Sequence, residues 1–212
     1  MKKIISWFFV VSLFFLTGIS NSLLSDQASL KQIHINIAPK LWWKAIKINE
    51  IYYDVDSAHG TETDNEWIEL YNASSVAINL KNWQIEDNSQ TDLLTAEDFW
   101  VQPGEFVLIS KTNSTWDYWG ISLLIPPAGV KFLVLNSQIG NGLNNDGDRL
   151  VLKNSQNEII DAVSWGTDNT ILNPAISDVE EGHSIERNPK GKDTDVATDF
   201  IDQENPTPGA GL

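Results

Sequence analysis

Short alternations of apolar and polar residues, each ended by glycine, proline, asparagine or aspartate, run from Ile46 to Gly209. In an extended strand successive side chains point to opposite faces, so such alternation marks a half-buried strand. In EWIELYN, Ile68 and Leu70 share one face, and Trp67, Glu69 and Tyr71 share the other. Val76, Ile78 and Leu80 alternate, as do Trp83 and Ile85. Pro103–Gly104 is a turn feeding Phe106–Ile109, and Asp146–Gly147 is a hairpin turn feeding Leu150 and Leu152. Val130–Leu135 is a nearly continuous apolar run suited to a buried strand, and Ile159–Trp165 makes the next one. Ile46 and Ile48 share one parity while Ile51 and Tyr53 share the other, which predicts a bulge or bend near Asn49–Glu50. No stretch has the period of a long amphipathic helix, and Thr95–Trp100 offers one short turn. Many short strands separated by turn residues predict an all-β sandwich or barrel, with less than about a tenth helix.

The residues before the strands carry a different signal. Lys2 and Lys3 precede a sixteen-residue apolar run, Ile4–Ile19, followed by Ser20, Asn21 and Ser22. A membrane-crossing helix needs about 20 apolar residues, and roughly 17 at the least. The run falls short, so residues 1–22 read as a cleaved export signal, with cleavage after Ser20 or Ser22. A short N-terminal anchor is the alternative, since no A-x-A cleavage pattern is present. Residues 23–44 read as a linker or N-terminal arm, in which Leu30, Ile33, Ile35 and Ile37 partly alternate. Residues 45–210 read as a single domain. The expectation is a secreted or envelope protein that meets a membrane only if the N-terminal segment is retained.

Charge and cysteine content remove several function classes. The chain carries a net charge of −15, and loss of Lys2 and Lys3 takes it to −17. Nucleic-acid binders use a basic face, so no nucleic-acid partner is expected. There is no cysteine, hence no disulfide, zinc–thiolate site or thiol nucleophile. An exported domain without disulfides must be held by its core, and nine tryptophans suit that requirement.

Taken in order, the segments INEI, WIELYN, NLKNW, PGEFVLI, GDRLVL, DAVSWG, SIERNP and PTPG make the chain resemble the lamin tail domain family. The resemblance spans about Ile46 to Gly209. It implies an immunoglobulin-like β-sandwich with a scaffolding or binding role. Exported bacterial members of that family pair the domain with separate hydrolase or nuclease domains, and no such segment stands among these residues. The coiled-coil rod of true lamins is also missing, so no filament role carries over. Residues 56–65 and 112–128 are longer than the core pattern needs, and loops of this kind carry specificity.

Catalytic motifs are missing. The histidines, His34, His59 and His183, sit in unrelated contexts, and no G-x-S-x-G, H-E-x-x-H or phosphate-loop pattern occurs. The expectation is a non-catalytic binding or scaffold module without a cofactor. The alternative is an acidic, glycosidase-like envelope hydrolase that uses a carboxylate pair, which requires only two acids at the right separation. Asp54, Asp56 and Asp64, with Glu62 between them, are candidate calcium ligands in one acidic loop, because calcium takes oxygen ligands from loops. Asn144–Asp148 is also oxygen-rich, but that composition is what a hairpin turn requires. Trp116, Tyr118 and Trp119 are the candidate binding surface, suited to an envelope protein or to the rings of a glycan. If instead they cap the open end of the sandwich, they are core. Finally, Ile185 and Arg187 share a face in an extended chain, so a core-facing Ile185 carries the guanidinium inward. Glu50 or Glu69 is the expected partner of Arg187 in a structural ion pair.

Overall fold

Strand β1 (Ile46–Tyr52) pairs antiparallel with β2 (Trp67–Asn72), and its register shifts between Ile48 and Glu50. This is the bulge that the parity switch predicts, and it lets Ile46, Ile48 and Ile51 all join the main core. The computed structural model describes residues 42–212. The export signal or anchor read in residues 1–22, and the arm as far as residue 41, lie outside the described residues. Among the described residues no helix is long and apolar enough to cross a membrane.

The remaining strands are β3 (Ile78–Asn79), β4 (Gln84–Glu86), β5 (Thr91–Leu93), β6 (Trp100–Val101), β7 (Phe106–Ser110), β8 (Val130–Val134), β9 (Arg149–Lys153), β10 (Ile159–Ser164), β11 (Ser184–Arg187) and β12 (Phe200–Gln203). A six-stranded sheet has the order β12-β11-β1-β2-β7-β8, and a four-stranded sheet has the order β10-β9-β4-β5. A short β3–β6 ribbon stands beside them. All pairings are antiparallel except β7–β8, which is parallel and needs a crossover from one end of the sheet to the other. That crossover holds a four-residue helix, α1 (Thr115–Tyr118), at a place the sequence pattern does not flag as helical.

The two sheets share one core. Ile48, Ile51, Ile68, Leu70, Val107 and Ile109 meet Ile85, Leu150, Leu152 and Val163 within it. Each such side chain contributes about 1.5–3 kcal/mol on full burial. The architecture is an all-β, immunoglobulin-like sandwich, as the alternations predict. The β9 entry turn needs its glycine. Gly147 has φ +147°, and a Cβ there would lie 2.3 Å from the Thr167 nitrogen.

Arg187 lies inside the core, 2% exposed, on the same face as Ile185. Its partner is Asp161 of β10, not Glu50 or Glu69. Nη2 contacts both Asp161 oxygens at 3.1 Å, and Nε donates to the Ile48 carbonyl at 2.8 Å. Asp161 also accepts the Ile48 N–H at 2.7 Å, so this ion pair ties β11 and β10 to the bulge in β1. Burial pushes the Asp161 carboxyl up, while Arg187 and Lys47 pull against that rise. Parity explains the changed partner. Glu50 and Glu69 alternate with core residues and therefore face the opposite side of the sheet from Ile185 and Arg187.

On that outer side the pairings Glu186↔Glu50 and Glu50↔Glu69 place three glutamates in a row across β11, β1 and β2. Each is 0% exposed. Facing like charges are destabilising, and among the described residues no cation is a hydrogen-bond partner of the three. Instead the last residues of the chain fold over them. The N–H groups of Thr207, Gly209 and Leu212 donate to Glu50, Glu69 and Glu186 at 3.0, 2.7 and 2.8 Å. Ser184, Asn49 and Gln203 side chains supply further donors. Gly209, at φ +85°, sits so close to β8 that a Cβ would lie 2.8 Å from a Val130 methyl.

Candidate functional site

The other half of the outer face is aromatic. Tyr52 ends β1 and Trp67 opens β2 directly opposite, with their rings stacked 5.7 Å apart. The crossover lies on this pair. Trp116 of α1 packs 6.1 Å from the Trp67 ring and 5.6 Å from Phe132, and it is 0% exposed. Trp119 stands edge-on to both Tyr52 and Trp67, with centroids 5.1 and 5.6 Å away. Its ring also stacks on His59 at 4.1 Å. The two long loops read from the sequence therefore meet. An Asn65–Thr115 hydrogen bond at 3.3 Å and the Lys111–Asp64 ion pair tie them again.

His59 is positioned from its own loop. Its Nδ1 lies 2.6 Å from Asp56 Oδ1, which also accepts the His59 N–H at 3.0 Å and the Tyr52 hydroxyl at 3.2 Å. Burial alone would raise the Asp56 carboxyl, but the bonds and charge of His59 hold it below its ordinary value. The indole N–H groups of Trp67, Trp116 and Trp119 are buried and have no hydrogen-bond partner among the described residues.

Between the two covers of the outer face runs a polar cleft of about 420 Å³. Asp56, His59 and Trp119 line one wall, and Glu181, Gly182, His183, Glu204, Asn205 and Pro206 line the other. His183 Nδ1 lies 2.8 Å from Asp202, so each histidine of the cleft has its own aspartate. Lining carboxylates outnumber any cationic group, and an aromatic edge lies beside them. This chemistry suits a guanidinium or ammonium group.

The candidates from the sequence fare differently. Trp116 is a core residue and leaves the binding surface, whereas Trp119 is half-buried at the cleft and Tyr118 is 49% exposed. Residues three apart across a short helical turn share a face, so Trp116 and Trp119 both pack on Trp67 while Tyr118 is exposed. Asp54, Asp56 and Asp64 do not converge. They turn to Asn145, His59 and Lys111 respectively. Among the described residues no three acidic or histidine side chains are placed to hold a metal ion.

Raised carboxyls exist, but their setting differs from that of a glycosidase pair. Burial pushes Glu50 up to about 8 and Glu69 well above its ordinary value, and both lie sealed under the chain terminus. Glu66 is pushed to about 8 by burial, yet its oxygens accept the Leu143 N–H at 3.2 Å and it is 1% exposed. Asp54 rises to about 6 through burial and the charge of the neighbouring Glu62. The Asn145 amide bridges the two, donating to Asp54 at 2.8 Å and to Glu62 at 3.3 Å. Inverting and retaining glycosidases hold their acids roughly 5–9.5 Å apart.

The family model of the lamin tail domain matches residues 44–167, more than half of the chain. The chain belongs to the lamin tail domain family. Members are immunoglobulin-like domains, typically non-catalytic binding modules. No curated protein matches the chain at a significant level. The matched span covers β1 to β10 of this lamin tail domain, the aromatic half of its outer face and the Asp56–His59–Trp119 wall of the cleft. The Glu181–His183 and Glu204–Pro206 wall, with Arg187, lies beyond that span. Sequence reasoning missed that second wall because its acids stand among turn residues with no periodic signal.

Proposed function

We propose that this protein is an exported, non-catalytic binding module of the cell envelope, which takes a cationic side chain of a partner protein into the cleft beside Trp119. The observation that carries this reading is the cleft itself. It joins Asp56, Glu181 and Glu204 with the Trp119–His59 stack at the seam between the two covers of the outer face. A sugar ring needs an open aromatic face, and His59 already occupies one face of Trp119. The strongly acidic domain adds long-range attraction for a basic segment. The Asp56–His59 and Tyr52 contacts fix the wall in advance, so little ordering cost accompanies binding.

Isothermal titration of the protein with a hexa-arginine peptide tests this at two salt concentrations. Measurable affinity that falls about tenfold or more in Glu181→Gln/Glu204→Gln supports the reading. Equal affinity in the parent and the double variant shows that the acidic surface acts in bulk and contradicts the cleft.

A further inference from the structure

One short stretch of chain joins the glutamate row to the second wall of the cleft. Residues 204–206 line the cleft, and residues 207–212 lie across the row. None of residues 204–212 is buried, so no apolar side chain anchors this strap in the core. Within residues 207–212, each N–H that bonds outside the segment ends on one of the three carboxyls: Thr207 on Glu50, Gly209 on Glu69 and Leu212 on Glu186. The Thr207 hydroxyl lies 3.5 Å from Glu50 and 3.4 Å from Glu186. Lys190 adds two bonds, from its N–H to the Leu212 carbonyl at 2.8 Å and from Nζ to the Ala210 carbonyl at 3.2 Å.

The strand pairings continue the row as Ile201, Glu186, Glu50, Glu69, Leu108 and Phe132, so β12, β7 and β8 bring no charge into it. Cβ atoms of facing residues lie about 4.5–5.5 Å apart, so the three acids crowd one another. Tyr52 and Tyr71 flank the row along β1 and β2, but the Tyr52 hydroxyl turns to Asp56 and the Tyr71 ring packs 4.9 Å from Phe106. In the loop after β11, Lys190 bonds to carbonyls and Lys192 pairs with Asp199 at 3.1 Å. On β8, Lys131 pairs with Glu105 at 3.6 Å. Glu204 and the His183–Asp202 pair stand at the cleft end.

Like charges this close and out of water cannot all ionise cheaply, and opening the strap would hydrate them. Burial raises Glu50 to about 8 and Glu69 well above its ordinary value, and the charge of a neighbouring glutamate adds to each rise. A carboxyl raised in the closed form holds that form fully below its ordinary value of 4.5 and loses its hold as pH rises through about 8.

We propose that residues 204–212 form a proton-held strap: protons on the glutamate row keep it closed, and their loss frees it and draws the wall of residues 204–206 away from Trp119. The consequence for binding rests on the cleft reading, whereas the motion of the strap does not. Hydrogen exchange of the full chain, read by mass spectrometry with labelling times scaled to the intrinsic rate at each pH, tests the motion. Protection of residues 204–212 should fall about tenfold or more between about pH 6 and about pH 9, while β2 and β7 stay protected. Glu50→Gln/Glu69→Gln should keep the strap protected throughout, because an amide carbonyl still accepts the N–H bonds and has no charge to gain. Unchanged protection of the parent strap overturns the proposal without any variant. A loss in the double variant equal to the parent's overturns it too, and a joint loss in the strap, β2 and β7 replaces it with global unfolding.

Titration with hexa-arginine peptide at the same two pH values reads the wall. Affinity that falls at the higher pH in the parent, and not in the double variant, supports the coupling, since bulk charge alone would raise it. A strap that opens with affinity unchanged or raised overturns the coupling. A strap that opens in a protein with no peptide affinity at either pH supports the strap and sinks the cleft reading.

Discussion

The two halves of the outer face are buried by opposite means. The aromatic half, Tyr52, Trp67 and Leu108, is covered by the crossover through ring packing and has almost no charge to manage. The glutamate half, Glu50, Glu69 and Glu186, is covered by the chain terminus through N–H donors, and burial pushes the Glu50 and Glu69 carboxyls up. Packing is insensitive to pH, whereas a buried carboxyl without a cation depends on its proton. The cleft lies at the seam, so one of its walls is fixed and the other is tied to a titrating base. A third charged locus, Arg187 with Asp161 inside the core, shows what a cation changes: there the charges are neutralised by each other.

The largest effects should come from breaking the fixed parts. Arg187→Ala leaves Asp161 buried and unpaired and should cost about 3–5 kcal/mol in urea denaturation. Arg187→Lys should restore only part of this, because an ammonium cannot reach the Ile48 carbonyl and Asp161 together through separate forked donors. Trp116→Ala should cost about 3–5 kcal/mol as a core cavity. A loss below about 1 kcal/mol for either would return that residue to the surface.

Next comes the proton-dependent cover. The folded pKa of Glu50 is raised from 4.5 to about 8, so the folded state binds the extra proton between those values. Stability should therefore fall as pH rises from about 4.5 to about 8, by up to about 1.4 kcal/mol per pH unit for one such group. Glu69, raised in the same direction, adds to the slope. Glu50→Gln should flatten the melting temperature profile across that window and raise the melting temperature at pH 8. An unchanged slope would mean that the terminus holds charged carboxylates. The smallest stability effect should come from Trp119→Ala, roughly 1–2 kcal/mol for a half-buried ring, with a larger loss of arginine-peptide affinity. Millimolar calcium should leave the melting temperature unchanged, since Asp54, Asp56 and Asp64 are dispersed.

Much of this fold is legible in the sequence. Alternation marks β2, the Pro103–Gly104 turn marks the start of β7, and the parity break at Asn49 marks the bulge. Parity also contained the answer for Arg187, because Glu69 sits between Ile68 and Leu70 and cannot share a face with a core-directed guanidinium. Asp161, between Ile160 and Ala162 beside a second register shift, gives no such local sign. The site is less legible. Trp116 and Trp119 are spaced for one helical face, but a four-residue helix has too little period to announce itself. That His59 would stack on Trp119, 60 positions away, depends on which loops the sheet order brings together, and no local pattern carries that information.

If the seam is the binding surface, nuclear magnetic resonance reads it directly. Titrating the ¹⁵N-labelled protein with hexa-arginine peptide should shift the backbone amides of Asp56, His59, Gly182, His183 and Asn205. The Trp119 indole N–H should shift with them, while the buried Trp67 and Trp116 indoles move far less. Shifts spread evenly over the acidic surface, or confined to residues away from both walls, would contradict it.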